Sequence, residues 1–305
     1  MKLVKSSVEY LPQEEGLEGI YKQIERCTRV SYKSEDKITE DSAKKFVDML
    51  IKSKHYAGLE HGTVYLYFKE CCYSHSDIRF IDKYSKNEYS KVIRIGCDDD
   101  VWPDGTYHDI MGGEATGDSE YVITTNYRVL VENDWLDDLQ FICSPTEYHE
   151  KRYSFKFTTD IGVCRELLRH RKFSFINEST RYCNYSKDKF DNQITFIEPH
   201  WLSDDREFKT SEAYSNAYEL FCSACEEAEG YYNLMVEEGF KPQDARQFLP
   251  LATKTELCMT GFVSDWKYLL DLRLYGKTGT PHPDMVILMK KLQKVIEGTN
   301  IKVIL

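Results

Sequence analysis

The sequence predicts an α+β fold, and three observations lead there. Period-two alternation marks strands at 63–68, 121–133, 151–159 and 194–199. Three- and four-residue apolar spacing marks helices at 39–54, 160–173, 211–240, 253–274 and 283–298. Between 72 and 150 the periodicity weakens and glycine, aspartate and proline punctuate the chain, so this stretch reads as an insertion into one domain spanning 1–305.

Each element has a local cause. The helix at 39–54 takes Thr39 or Asp41 as its cap and places Phe46, Met49 and Leu50 on one face. Gly58 and Gly62 bracket a turn before TVYLYF, which alternates as a strand. YVITTNYRVLVEN is rich in β-branched residues and is the one clear strand of the insertion. In 151–159, Tyr153, Phe155 and Phe157 share a face, and the helix that follows turns Ile161, Cys164, Leu167 and Leu168 inward. The helix at 211–240 aligns Tyr214, Tyr218, Phe221, Cys225, Ala228 and Met235; Gly239 stops it, and Pro242 opens the next at a position where a missing N–H is harmless.

Composition bounds the function. Of 305 residues, 51 are acidic and 40 basic, a net charge of −11 that argues against coating nucleic acid. Hydrophobic residues at 41% and aromatics at 13% are enough for a packed core. No run approaches the roughly 20 apolar residues of a membrane span, and MKLVKSSVEYLPQEEGLEG has no apolar signal-peptide core. The ten cysteines read as reduced thiols in a reducing cytoplasm. Cys222-Ser-Ala-Cys225 lies within a helix and lacks a second ligand pair, which disfavours zinc. Asp98-Asp99-Asp100 reads as a solvated acidic turn, and GGEATGDS at 112–119 lacks the lysine and spacing of a phosphate loop.

Against this acidic background, Lys151 to Arg181 carries eight cations and three acids, a local charge of +5. Arginine forks suit phosphate oxygens and stay charged when desolvated. If helix continues through 169, Arg165 and Arg169 share a face and form an anion pocket; a solvated basic face is the competing reading.

Within this segment Arg169-His170-Arg171 is followed by seven residues and then Ser179, an RHR-x7-S pattern that resembles the signature of the flavin-dependent thymidylate synthases. Three further segments resemble that family in the same order: CTRVSY at 27–32, LEHGTVYLYF at 59–68, and PQDARQFLPL with the downstream Leu-Arg within 242–274. The resemblance implies that family's fold, a central sheet flanked by long helices. It also implies conversion of dUMP to dTMP with methylenetetrahydrofolate as carbon donor, FAD as cofactor and NADPH as reductant, in a homotetramer that binds neither nucleic acid nor membrane.

The implied FAD contacts are Ser31, His61, Arg169, His170, Arg171, Asn177 and His282. The implied dUMP contacts are Glu166, Arg169, Asn177, Glu178, Ser179, Thr180, Arg181, Arg246 and Arg273, with Arg273 as the catalytic residue beside the uracil. Glu166 stands where the family often has glutamine. Phe262, Ser264 and Tyr268 stand where it has FAD-contacting asparagine, arginine and asparagine. Asn177 takes the usual glutamate position with Glu178 after it, and His282-Pro283-Asp284 matches the family's His-Ala-Gln. The alternatives are a related flavoenzyme that leaves a hydroxymethyl group on dUMP, and a non-catalytic nucleotide-binding homologue.

Overall fold

The computed structural model describes residues 1–70, 75–95, 119–203, 212–299 and 301. In chain order, β1 (Lys2–Val4) and β2 (Ser7–Tyr10) precede α1 (Gly16–Arg29) and α2 (Ser42–Lys52). Next come β3 (Thr63–Glu70), α3 (His75–Ser85), β4 (Lys91–Ile95), β5 (Ser119–Asn126) and α4 (Tyr127–Glu132). The central segment folds as β6 (Arg152–Asp160), α5 (Ile161–Leu167) and β7 (Ser174–Asn177). After it come β8 (Thr195–Ile197), α6 (His200–Ser203), α7 (Glu212–Glu237) and α8 (Pro242–Ala245). The chain closes with β9 (Lys254–Phe262), α9 (Val263–Arg273) and α10 (Pro283–Glu297), which confirms the α+β class.

The chain divides into two compact units. One comprises 1–12, 25–42 and 153–305; the other comprises 13–24 and 43–152, so α1 contributes to both. Most of the stretch read as an insertion falls in the second unit, together with α2 and β3. Asp98-Asp99-Asp100 and all but the last residue of GGEATGDS lie outside the described residues.

The first unit is built on a four-stranded sheet of order β2-β6-β9-β7, beside a parallel pair β1-β8. β2 runs antiparallel to β6, pairing Val8 with Phe157, and β7 antiparallel to β9, pairing Asn177 with Leu257. Phe155, Phe157, Leu257 and Met259 join Trp266, Leu269 and the apolar stripe of α10 in the main core. Trp266 is its centre: Phe155 and Phe173 meet the indole edge-on at 4.8 and 4.6 Å, and its Nε1–H donates to the Tyr153 carbonyl at 3.2 Å.

The helix expected over 253–274 is corrected to a strand and a helix. β9 is an inner strand buried on both faces, so its apolar run lacks the one-sided alternation that marks a half-exposed strand. Its period of two sends Leu257 and Met259 to the main core and Cys258 to a smaller cluster with Cys27, Val30 and Leu11. The Asp265 carboxylate takes the Phe262 N–H at 3.3 Å, where strand becomes helix. The strand expectation at 121–133 is corrected in the same sense. Asn126 caps α4 by accepting the Val129 N–H at 3.2 Å, which ends β5 and starts a helix despite the β-branched composition.

In the second unit β3, β5 and β4 form an antiparallel sheet that pairs Leu66 with Ile123 and Val92 with Ile123. Its core joins Leu66 and Ile123 to Ile20, Ile24, Val47, Leu50, Tyr84 and Leu130. The buried stripe of α2 is Ala43, Val47 and Leu50, whereas Met49 is 48% exposed, a correction of one helical step. In α5 the inward residues are Val163, Cys164 and Leu167, and Leu168 lies outside the helix and outside the core.

Gly261 is required by packing, because a Cβ there would overlap the Phe173 ring at Cδ1 and Cε1. Gly261→Ala is expected to destabilise the protein by about 1–3 kcal/mol. Urea unfolding checks this, and an unchanged midpoint would refute the packing argument.

Candidate functional site

The cationic segment leaves β6 through Asp160, whose carboxylate caps α5 by accepting the Val163 N–H at 2.8 Å. α5 ends at Leu167, so the expectation that Arg165 and Arg169 share a helical face is corrected; both are exposed. The chain then closes through successive turns, with the Arg169 N–H on the Glu166 carbonyl at 3.3 Å and the His170 N–H on Leu167 at 3.0 Å. These turns present Arg169 and Arg171 outward and leave His170 half-buried.

Arg273, the last residue of α9, ties this turn to the other end of the motif set. Its Nε–H donates to His170 Nε2 at 3.0 Å, its Nη1 to Glu166 Oε2 at 3.1 Å, and its Nη2 to the Glu166 carbonyl at 3.4 Å. Three predicted residues from two distant segments therefore meet. Because Nε2 accepts, the ring proton of His170 sits on Nδ1. Burial, reinforced by the Arg273 cation, pushes the imidazole down from 6.5 to about 4. The ring is therefore neutral at neutral pH, and Arg273 is matched by one carboxylate, Glu166.

Next to this cluster, Glu166, Arg165, His282, Asp160 and Asp284 line a cleft of about 440 Å³ with Val163, Ile197 and Leu251 on its apolar side. His282 stands at the start of α10, where its Nδ1 accepts the Asp284 N–H at 3.2 Å. Asp284 in turn accepts the His200 backbone N–H at 2.6 Å.

The segment after β7 forms a second focus. Asn177 is exposed at the end of β7, its Nδ2 3.4 Å from the Glu178 carbonyl. The Ser179 N–H donates to the carbonyl of Ser31 at 2.9 Å, so these two predicted residues are joined through backbone. The Ser179 carbonyl takes the N–H groups of Tyr182 and Cys183, closing a tight turn. Arg246 reaches this turn through Nη1 to Thr180 Oγ1 at 3.3 Å, and Arg181 Nε donates to Gln243 at 3.2 Å. Tyr182, exposed, lies 5.1 Å from the Tyr32 ring and under the Arg181 guanidinium at 5.2 Å. Glu178 differs from its neighbours, because its carboxylate is fully buried and both oxygens are engaged.

Among the described residues Arg165, Arg169, Arg171, Arg181 and Arg246 have no carboxylate partner. Exposed guanidiniums left unneutralised in an acidic chain form a donor set suited to phosphate oxygens. His61 belongs to the second unit, fully buried on the turn that enters β3. Phe262 is buried, and Ser264 and Tyr268 are exposed on α9.

Sequence reasoning missed Lys254 and Tyr185, which bind the Glu178 carboxylate, and Glu256 and Lys33, which continue the ion pairs beyond Lys254. Lys254 and Glu256, two apart, share a face only in a strand, and reading 253–274 as helix concealed that.

Fold and site together define an α+β protein in which Arg273 is hydrogen-bonded to a neutral histidine and to Glu166, with exposed arginines on the neighbouring turns. Residues 143–296 match the family model described as thymidylate synthase complementing protein, half of the chain. The chain belongs to that family.

Among similar proteins, the probable flavin-dependent thymidylate synthase of Paramecium bursaria Chlorella virus 1 is 27% identical over 150 residues, 46% of this chain and 64% of the relative. The flavin-dependent thymidylate synthase of Pyrococcus furiosus is 30% identical over 123 residues, 40% of this chain and 46% of the relative. The matches thus span less than two thirds of these curated relatives. A crystal structure of a UMP/dUMP methylase, PolB from Streptomyces cacaoi, bound with 5-Br dUMP, aligns over 98% of this chain and 93% of that one at 15% identity, with a TM-score of 0.45. Among the described residues no helix is long and apolar enough to cross a membrane.

The low folded pKa of His170 has a signed consequence. Between its folded value of about 4 and the ordinary 6.5, the unfolded chain binds the extra proton, so this residue's contribution to stability falls as pH drops through that window. An NMR titration should place the His170 midpoint near 4. Arg273→Met should raise it part of the way to 6.5, since burial remains. A midpoint unmoved by that substitution would contradict the geometry.

Proposed function

We propose that this chain is a flavin-dependent thymidylate synthase, converting dUMP to dTMP with methylenetetrahydrofolate as carbon donor and NADPH-reduced FAD as hydride source. The observation that carries this reading is the joining of Glu166, His170 and Arg273 in one hydrogen-bonded cluster. Family membership supports it, as do the names of the curated relatives.

The residues present fit FAD by the chemistry of their donors. Arg169 and Arg171 are exposed and without a carboxylate partner among the described residues, which suits a pyrophosphate. Ser31, His170, Asn177 and His282 complete the proposed FAD set, which leaves out His61, buried in the second unit. When bound, the flavin supplies the hydride that completes the methyl group.

The protein supplies position and field. Ser179 and Thr180 offer hydroxyl and backbone donors, and Arg181 and Arg246 the charge, for the phosphate of dUMP. Glu166 accepts from the pyrimidine while gripping Arg273, so the guanidinium keeps a fixed direction. Arg273 stabilises negative charge developing on the uracil ring, which makes C5 more nucleophilic. Ser179 is assigned binding rather than attack, since its backbone closes a turn and no base adjoins its hydroxyl among the described residues. A homotetramer in the cytoplasm, with small molecules as its only other partners, completes the proposal.

The test is anaerobic. NADPH is expected to bleach the absorbance of protein-bound FAD, and addition of dUMP with methylenetetrahydrofolate to restore it. Arg273→Ala is expected to retain FAD and lower turnover by about 10²–10³-fold. Turnover unchanged in that variant would remove Arg273 from the chemistry.

A further inference from the structure

Behind the Ser179 turn, charged side chains alternate in sign through the interior. Glu178 accepts from Lys254 Nζ at 2.7 Å and from the Tyr185 hydroxyl at 2.9 Å. Lys254 also meets Glu256 at 2.8 Å, and Glu256 meets Lys33 at 2.8 Å. The side chain of Glu178 is fully buried, and those of Lys254, Glu256 and Lys33 are 15%, 12% and 19% exposed. The two lysines balance the two buried glutamates, and two ammoniums overcome burial to hold Glu256 down at about 2.

Each end of this chain of charges grips backbone that shapes the turn. The Glu178 N–H donates to the Glu256 carbonyl at 2.7 Å, extending the β7–β9 ladder by one residue. Lys33 follows the turn Val30–Tyr32, whose Ser31 carbonyl receives the Ser179 N–H, and its own backbone is left-handed at φ 49°. A lysine in that conformation is held there by its surroundings, and the two carboxylates on its ammonium, Glu35 and Glu256, provide the hold. Ser179 is therefore fixed on one side through Glu178 and on the other through Ser31.

We infer that Lys254 and Glu178, with Glu256, Lys33 and Tyr185, are positioning residues that set the Ser179–Arg181 turn for a nucleotide phosphate without touching it. The inference rests on the nucleotide reading above and gives Glu178 a different part from the ligand contact implied by resemblance. Both of its carboxylate oxygens are already committed inside the protein.

The experiment measures dUMP and FAD affinities separately by calorimetry on the full chain. Removing Lys254 alone leaves the Glu178 carboxylate buried without a cation, so the principal variant is the double Glu178→Gln, Lys254→Met, which removes charge in balance. Its Kd for dUMP is expected to rise roughly tenfold or more, as for a displaced binding group, with FAD affinity held within about twofold. Lys254→Arg should recover most of the dUMP affinity. Tyr185→Phe leaves every charge paired and is expected to weaken dUMP binding selectively, by a smaller factor; it decides the matter if the double variant does not fold. Wild-type dUMP affinity in the double variant, or in Tyr185→Phe if only that variant folds, would overturn the inference alone. Equal loss of dUMP and FAD affinity would also overturn it, by reducing the network to general stability. Failure of the wild-type protein to bind dUMP would overturn the nucleotide reading, and the inference with it.

Discussion

The guanidinium of Arg273 is the joint on which the site depends. It ends α9, it reaches back to the turn after α5, and it binds a neutral imidazole and a carboxylate at once. That arrangement goes with the strand-to-helix switch at Phe262, where α9 begins, and with the end of α5 at Leu167, after which the chain turns and brings His170 to Arg273. Burial discourages protonation of the His170 ring, and the Arg273 cation beside it acts in the same direction. The cluster therefore joins a guanidinium, a carboxylate and a neutral imidazole acceptor.

The distribution of charge follows a simple division. Inside the first unit, Glu178, Lys254, Glu256 and Lys33 form a run of ion pairs that Glu35 extends at Lys33. At the surface, Arg165, Arg169, Arg171, Arg181 and Arg246 have no carboxylate partner among the described residues. A protein of net charge −11 has ample acid to neutralise five arginines. Five guanidiniums free of a carboxylate among the described residues give the nucleotide and flavin reading its electrostatic basis.

How much of this was legible in the sequence depended on whether the signal was local. The RHR-x7-S spacing was visible because its residues lie within eleven positions, and the structure brings His170 to Arg273 and Ser31 to Ser179. The long helices α7 and α10 were visible because they are amphipathic. β9 was not, because a strand buried on both faces has no period of exposure to read. α4 was hidden because Asn126, a cap, sits inside a run of strand-forming residues. The convergence of Arg165 and Arg169 failed for a related reason: it assumed a helix continuing past Leu167, and the backbone turns there. The ion network around Glu178 has a sequence separation of 76 residues between Glu178 and Lys254, beyond any local pattern.

The most direct test of the account is the mass of the nucleotide product. The purified protein is incubated anaerobically with FAD, NADPH, methylenetetrahydrofolate and dUMP, with no other enzyme present. The account predicts dTMP, formed with FAD and absent when the flavin is stripped. A hydroxymethylated nucleotide, or unchanged dUMP from folded and flavin-loaded protein, would contradict it.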